Sequence, residues 1–106
     1  VISEHDVEKA IDWLRDTAES CATHRAERLY LDDFSRSLKA EIMSEHLAEP
    51  LGAQERYAYS DLRYKNHLAA LRVAIFEDEK GRFLRAAAEA KIEGWRTMCS
   101  NERAKL

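Results

Sequence analysis

The chain has 106 residues, 45% of them apolar and 35% charged, with only three glycines and one proline. That balance is too apolar for wholesale disorder, too poor in turn formers for a many-stranded sheet, and too short for a second independent core. The formal charge of −3 argues against a dedicated nucleic-acid binder, yet it conceals a split: residues 1–27 hold seven acids against three bases, and residues 80–106 seven bases against three acids. Ala, Glu, Arg and Leu dominate, all strong helix formers, so the expected class is all-α in a single helical domain over residues 1–106.

Ser3 opens the first element as an N-cap, with Asp6 in capping-box position and Ile2 placed to staple against Val7. Apolar residues recur at Val7, Ile11, Leu14, Ala18, Cys21 and Ala22 and, after a small shift of phase, at Leu29, Leu31, Phe34, Leu38, Ile42 and Leu47. No Gly or Pro intervenes before Pro50, so the pattern predicts one helix over about 4–48, roughly 65 Å long at 1.5 Å per residue. A break near Asp32-Asp33, with Asp33 or Ser35 as the new cap, is the alternative and would make a three-helix bundle.

"EPLGAQERYAYSD" is the one convincing connection, because Pro50 and Gly52 together stop a helix and turn the backbone. It predicts a loop over about 49–60, with at most a short helical turn at Gln54–Ala58, and Ser60 or Asp61 capping the next helix. That second long helix runs over about 61–104 and passes through Gly81, which costs about 1 kcal/mol relative to Ala without ending it.

A loop this short makes the two helices antiparallel neighbours, a helical hairpin with coiled-coil character in which residue i faces about residue 108 − i. The acidic start would then meet the basic end. Two helices cannot enclose a core by themselves, so the hairpin is expected to self-associate, most simply as a dimer forming a four-helix bundle. Trp13, Leu14, Phe34, Leu38, Leu71, Ile75, Leu84, Ile92 and Trp95 make up the expected self-association core.

Catalytic chemistry is sought without result. There is no Gly-rich phosphate loop, nucleophile elbow, paired-cysteine zinc spacing or His-Glu-x-x-His, so the chain reads as no enzyme and calls for no cofactor. His46 and His67 fall near the loop end with Glu41 or Glu45 close by, but histidines beside a turn are more often solvated than metal-bound. Asp32-Asp33 reads as a solvated cap rather than a carboxylate metal centre. Cys21 and Cys99 lie too far apart in the hairpin register for a disulfide and suit a reducing compartment. No stretch approaches the roughly 20 apolar residues of a membrane span, and the first residues lack the basic and apolar regions of a signal peptide, so the expected place is the cytoplasm.

Two surfaces could bind. Arg82, Arg85, Lys91, Arg96 and Arg103, with Trp95 available for stacking, form a candidate nucleic-acid contact. Tyr57, Tyr59, Arg63 and Tyr64 cluster at the loop end, and Tyr and Arg are the residue types favoured at protein-interface hot spots.

The segments "RAERLYLDDFSRSLKAEIM" (25–43), "GAQERYAYSD" (52–61), "YKNHLAALRVA" (64–74) and "AAEAKIEGWRTMCSNERA" (87–104) resemble a group of small helical proteins encoded by bacteriophages and prophages of proteobacteria. Gly81 and Gly94 depart from that pattern, where helix formers are more usual. The resemblance implies an accessory protein in the host cytoplasm, with phage or host DNA-processing proteins as partners. The leading expectation is therefore a non-enzymatic interaction protein that modulates DNA recombination, replication or host nuclease and defence systems. Direct DNA binding through the basic half is the alternative, and a small virion component the third.

Overall fold

The chain forms four α-helices and no strand in a computed structural model that describes all of residues 1–106. α1 spans Glu4–Asp16, α2 Ala18–Ser44, α3 Leu51–Ser60 and α4 Leu62–Lys105, together 89% of the residues. The all-helical class holds, but four helices stand where the sequence pattern suggested two.

The first difference is at Thr17. The Ser3–Asp6 capping box forms as expected, with Ser3 N–H donating to Asp6 Oδ2 at 2.9 Å and Asp6 N–H to Ser3 Oγ at 3.2 Å. Farther along, the Thr17 hydroxyl donates to the Trp13 carbonyl at 2.6 Å, beside its own N–H on the same oxygen at 3.0 Å. Such back-bonding bends helices, and Thr17 sits at φ −100°, ψ 0°, off the helical values. The bond from Cys21 N–H to Thr17 O at 2.9 Å then resumes the helical pattern. Asp32 and Asp33, the alternative site for a break, lie inside α2, which runs unbroken there as expected.

The second difference is the connection. α2 ends in i→i+3 bonds, Glu45 N–H to Ile42 O, His46 N–H to Met43 O and Glu49 N–H to His46 O, so the stop precedes Pro50. Pro50 then serves as the N-cap of α3 at φ −60°. Its ring-fixed φ suits a helix start, and Gly52 sits in the first turn rather than breaking anything. The expected loop over 49–60 is thus mostly the ten-residue α3. Asp61 separates α3 from α4 and caps the latter, accepting from Arg63 N–H at 2.8 Å.

The chain divides into two compact units, Thr23–Asp78 and a second made of Val1–Ala22 with Glu79–Leu106. In the first, α2 and the start of α4 run antiparallel, as Glu45–Arg63, Ser35–His67 and Arg28–Asp78 show. The residues turned inward are His24, Arg28, Leu31, Ser35, Leu38 and Ile42 on α2 and Tyr64, His67, Leu71, Ala74 and Asp78 on α4. Both sets alternate steps of three and four, the spacing of a coiled-coil seam. α3 closes one end: Ala58, fully buried, packs with Leu38 and Ile42, and Phe34, Met43 and Tyr64 cover them.

Much of that seam is polar. His67 is buried, its Nε2 2.8 Å from both Ser35 Oγ and the Leu31 carbonyl. Because a carbonyl only accepts, Nε2 carries the proton and donates to it. Arg28 Nε lies 2.6 Å from Asp78 Oδ2, an ion pair whose alignment is not that of a hydrogen bond. The Asp78 side chain is only 11% exposed.

In the second unit the inward residues are Val7, Ala10, Leu14, Thr17 and Cys21 against Gly81, Arg85, Ala88, Ile92, Trp95 and Cys99, again at three–four spacing. The glycines that looked out of place mark close approaches. A Cβ on Gly94 would lie 2.8 Å from Ile2 Cδ1, and one on Gly81 3.3 Å from Cys21 Sγ. Arg85 Nη1 donates to the Leu14 carbonyl at 3.3 Å. These contacts correct the register: Cys21 faces Gly81 rather than residue 87, so Cys99 is farther off than expected, and both cysteines are free thiols.

Removing Arg28 would leave an enclosed carboxylate without its cation. Arg28→Ala is expected to cost about 2–3 kcal/mol of unfolding free energy in urea titration, while Arg28→Met combined with Asp78→Leu recovers most of it. A cost below about 0.5 kcal/mol for Arg28→Ala would show that the pair contributes little.

Candidate protein-contact surfaces

Arg63 organises the corner where α2, α3 and α4 meet. Its guanidinium donates to Glu45 Oε2 at 2.6 Å and Oε1 at 2.9 Å, and to both oxygens of Asp61 at 3.0 and 3.1 Å. Hydrogen bonds from the Arg63 side chain, and for Asp61 also from its backbone N–H, hold both carboxyls below their ordinary range and push the guanidinium up. Arg63 is thereby spent on joining elements rather than left free for a partner.

The tyrosines divide in the same way. Tyr64 is half-buried and packs against the Leu38–Ile42–Ala58 core. Tyr59 meets its edge at 5.5 Å between ring centroids, under the Lys39 ammonium at 4.7 Å. Tyr57 stacks on His46 at 4.0 Å and 5°. Tyr57 and Tyr59 both remain exposed, but they point to different neighbours, so of the residues expected to cluster at this end only Tyr59 and Tyr64 meet. His46 and His67 take separate partners, and no group of three or more His, Cys, Asp or Glu side chains is placed to hold a metal ion. Asp33 pairs only with Arg36, at 3.8 Å and highly exposed.

The basic half of α4 is neutralised locally. Arg82 pairs with Glu79 at 3.5 Å, Arg96 with Glu93 at 3.2 Å and Lys105 with Glu102 at 3.6 Å, each acid three residues earlier on the same helix. Between the acidic start and the basic end, Lys91 acts on Asp6 through its field. Arg85 is turned inward to Leu14. Arg103, which has no side-chain ion pair, lies beside Trp95, Met98 and Cys99 on an open apolar patch.

The residues expected to form a self-association core have three fates. Leu38 is buried within its own unit. Trp13, Leu14, Phe34, Leu71, Ile92 and Trp95 are half-buried, and Ile75 and Leu84 are exposed. More prominent are side chains outside that expected core: Tyr30, Val73, Phe76 and Phe83 are 62%, 62%, 63% and 66% exposed. Their signal in the sequence was the three-residue step from Val73 to Phe76 and the seven-residue step to Phe83, off the phase of the inward seam.

No protein-family model matches the chain, and no curated protein or solved structure shows significant similarity to it. The resemblance to phage-encoded proteins therefore rests on the four segments 25–43, 52–61, 64–74 and 87–104.

The corner gives a pH dependence with a fixed sign. Asp61 and Glu45 lie below their ordinary values of 3.8 and 4.5 in the folded chain, so their stabilisation is complete above those values and is lost as the pH falls through the folded ones. The urea midpoint is expected to drop from pH 5 to pH 3, and Asp61→Asn to flatten that drop; an unchanged slope in the variant would show that Asp61 does not drive it.

Proposed function

We propose that this chain is a non-enzymatic helical interaction protein that works by presenting helix faces to other protein chains, copies of itself included. The observation that carries this reading is the mismatch between inside and outside. Six apolar residues are buried, three of them alanines, while Leu29, Tyr30, Val73, Phe76, Phe83 and Leu84 stand exposed on regular helices. Soluble chains that act alone rarely leave large apolar side chains in such numbers against water, and aromatic residues on rigid elements are what protein interfaces use.

Tyr57, exposed with Arg56 beside it on α3, supplies a second surface of the composition that protein partners favour. The resemblance to phage-encoded proteins adds the setting: an accessory protein whose partner belongs to DNA recombination, replication or a host nuclease or defence system. The DNA-binding alternative loses support from the local pairing of Arg82 and Arg96 with acids on their own helix, which leaves few cations to release counterions from phosphate.

Sedimentation equilibrium of the chain at tens of micromolar is expected to give a mass at least twice 12.3 kDa. A mass of one chain throughout that range would contradict self-association.

A further inference from the structure

We propose that the unit of residues 23–78 stacks on the same unit of a second copy of this chain, with the acidic side of its α2–α4 seam against the basic side of the next. The inference rests on the reading that the exposed faces are interfaces, and it names the occupant of two of them.

Contacts within the unit mark the two sides of the seam. On one side Glu45 bonds Arg63, and the Phe34 ring lies 5.5 Å from that of His67. Steps of three, four or seven residues from these place Glu27, Tyr30 and Glu41 on the same side of α2, and Ala70, Val73 and Glu77 on the same side of α4. On the other side the Lys39 ammonium lies over Tyr59, whose ring meets Tyr64. The same steps place Arg25, Leu29, Asp32 and Arg36 there on α2, and Lys65, Leu68, Arg72 and Ile75 on α4.

These sides carry opposite charge. Glu27, Glu41 and Glu77 take part in no ion pair, and Arg63 beside them is held by Glu45 and Asp61. Across the seam stand Arg25, Arg36, Lys39, Lys65 and Arg72, with Asp32 as the one acid that α2 and α4 place among them. Of these bases only Arg36 is ion-paired, to Asp33 at 3.8 Å with both side chains highly exposed. Both sides also carry apolar surface between their charges: Tyr30 and Val73 stand exposed on the acidic one, Leu29, Leu68 and Ile75 on the basic one. The spacing matches as well, since Glu27 and Glu41 are as far apart along α2 as Arg25 and Lys39, about 21 Å at 1.5 Å per residue.

A two-fold pairing brings the same patch of each copy together. Through the acidic side that would set glutamates on glutamates, and through the basic side arginines on arginines, both repulsive. Acidic side on basic side is the arrangement that the charges favour. It is a head-to-tail contact, so each chain keeps one side open for the next and association continues past two chains.

Charge reversal tests this directly. One variant carries Glu27→Lys, Glu41→Lys and Glu77→Lys, which makes both sides basic; another carries Arg25→Glu, Lys65→Glu and Arg72→Glu, which makes both acidic. Each alone should self-associate at least about tenfold more weakly than the parent in sedimentation velocity, with helix content followed by circular dichroism. An equimolar mixture should recover the parent's association, because the two variants can alternate. Independently, carbodiimide treatment of a mixture of isotope-labelled and unlabelled parent chains should join Lys39 or Lys65 of one copy to Glu27, Glu41 or Glu77 of another, read by mass spectrometry. If the parent associates while both variants associate equally well and the mixture gains nothing, this pairing is wrong and the broader interface reading stands. A parent chain that stays single overturns the pairing and self-association together, and leaves the acidic side to a basic helix of another protein.

Discussion

Each unit is held by a seam of three–four spacing, and the seams are filled largely by small and polar side chains. In the unit of residues 23–78 the fully enclosed side chains, Ile42 and Ala58, lie at the end near α3. Farther along, Ser35 with His67 and Arg28 with Asp78 take the inward positions. In the other unit Gly81 and Gly94 stand where the helix faces approach most closely. Small residues let helices draw together, and polar ones tie a particular register at the expense of apolar burial. The large aromatic side chains are thereby left outside.

From that arrangement the proposed role comes by elimination of places to put apolar surface. The helices' own seams are occupied, so Val73, Phe76 and Phe83 on α4 and Leu29 and Tyr30 on α2 have no cover within their units. The corner built on Arg63, Asp61 and Glu45 fixes α3 against α2 and α4, which holds Tyr57 and Tyr59 on a rigid element. Rigid aromatic groups lose little freedom on binding, and that is what makes them useful contacts.

The helical class, the capping box at Ser3 and the passage of α4 through Gly81 were legible because each depends on local chemistry that sequence displays directly. The break at Thr17 was not, since a threonine hydroxyl that back-bonds to Trp13 looks in sequence like any mid-helix Thr. Pro50 was read as ending a helix although it begins one; proline fixes φ equally well for either role, and the residues on its C-terminal side decide between them. At the candidate surfaces, Tyr57 and Tyr59 were found by residue type, whereas Arg63 was counted as free because its two carboxylate partners come from different elements. Of the stripe read along the first helices, Val7, Leu14, Cys21, Leu31, Leu38 and Ile42 lie on the seam, whereas tracking only apolar side chains passed over its other members, Ala10, Thr17, His24, Arg28 and Ser35.

The central claim is that faces outside these seams are covered by another chain, so that folding and association are linked. Linkage makes stability depend on concentration. The most direct measurement is the urea midpoint of helix loss, tracked by circular dichroism over a hundredfold range of protein concentration. With folding and association linked, the midpoint rises steadily with concentration; a midpoint that stays constant across the range would contradict the linkage.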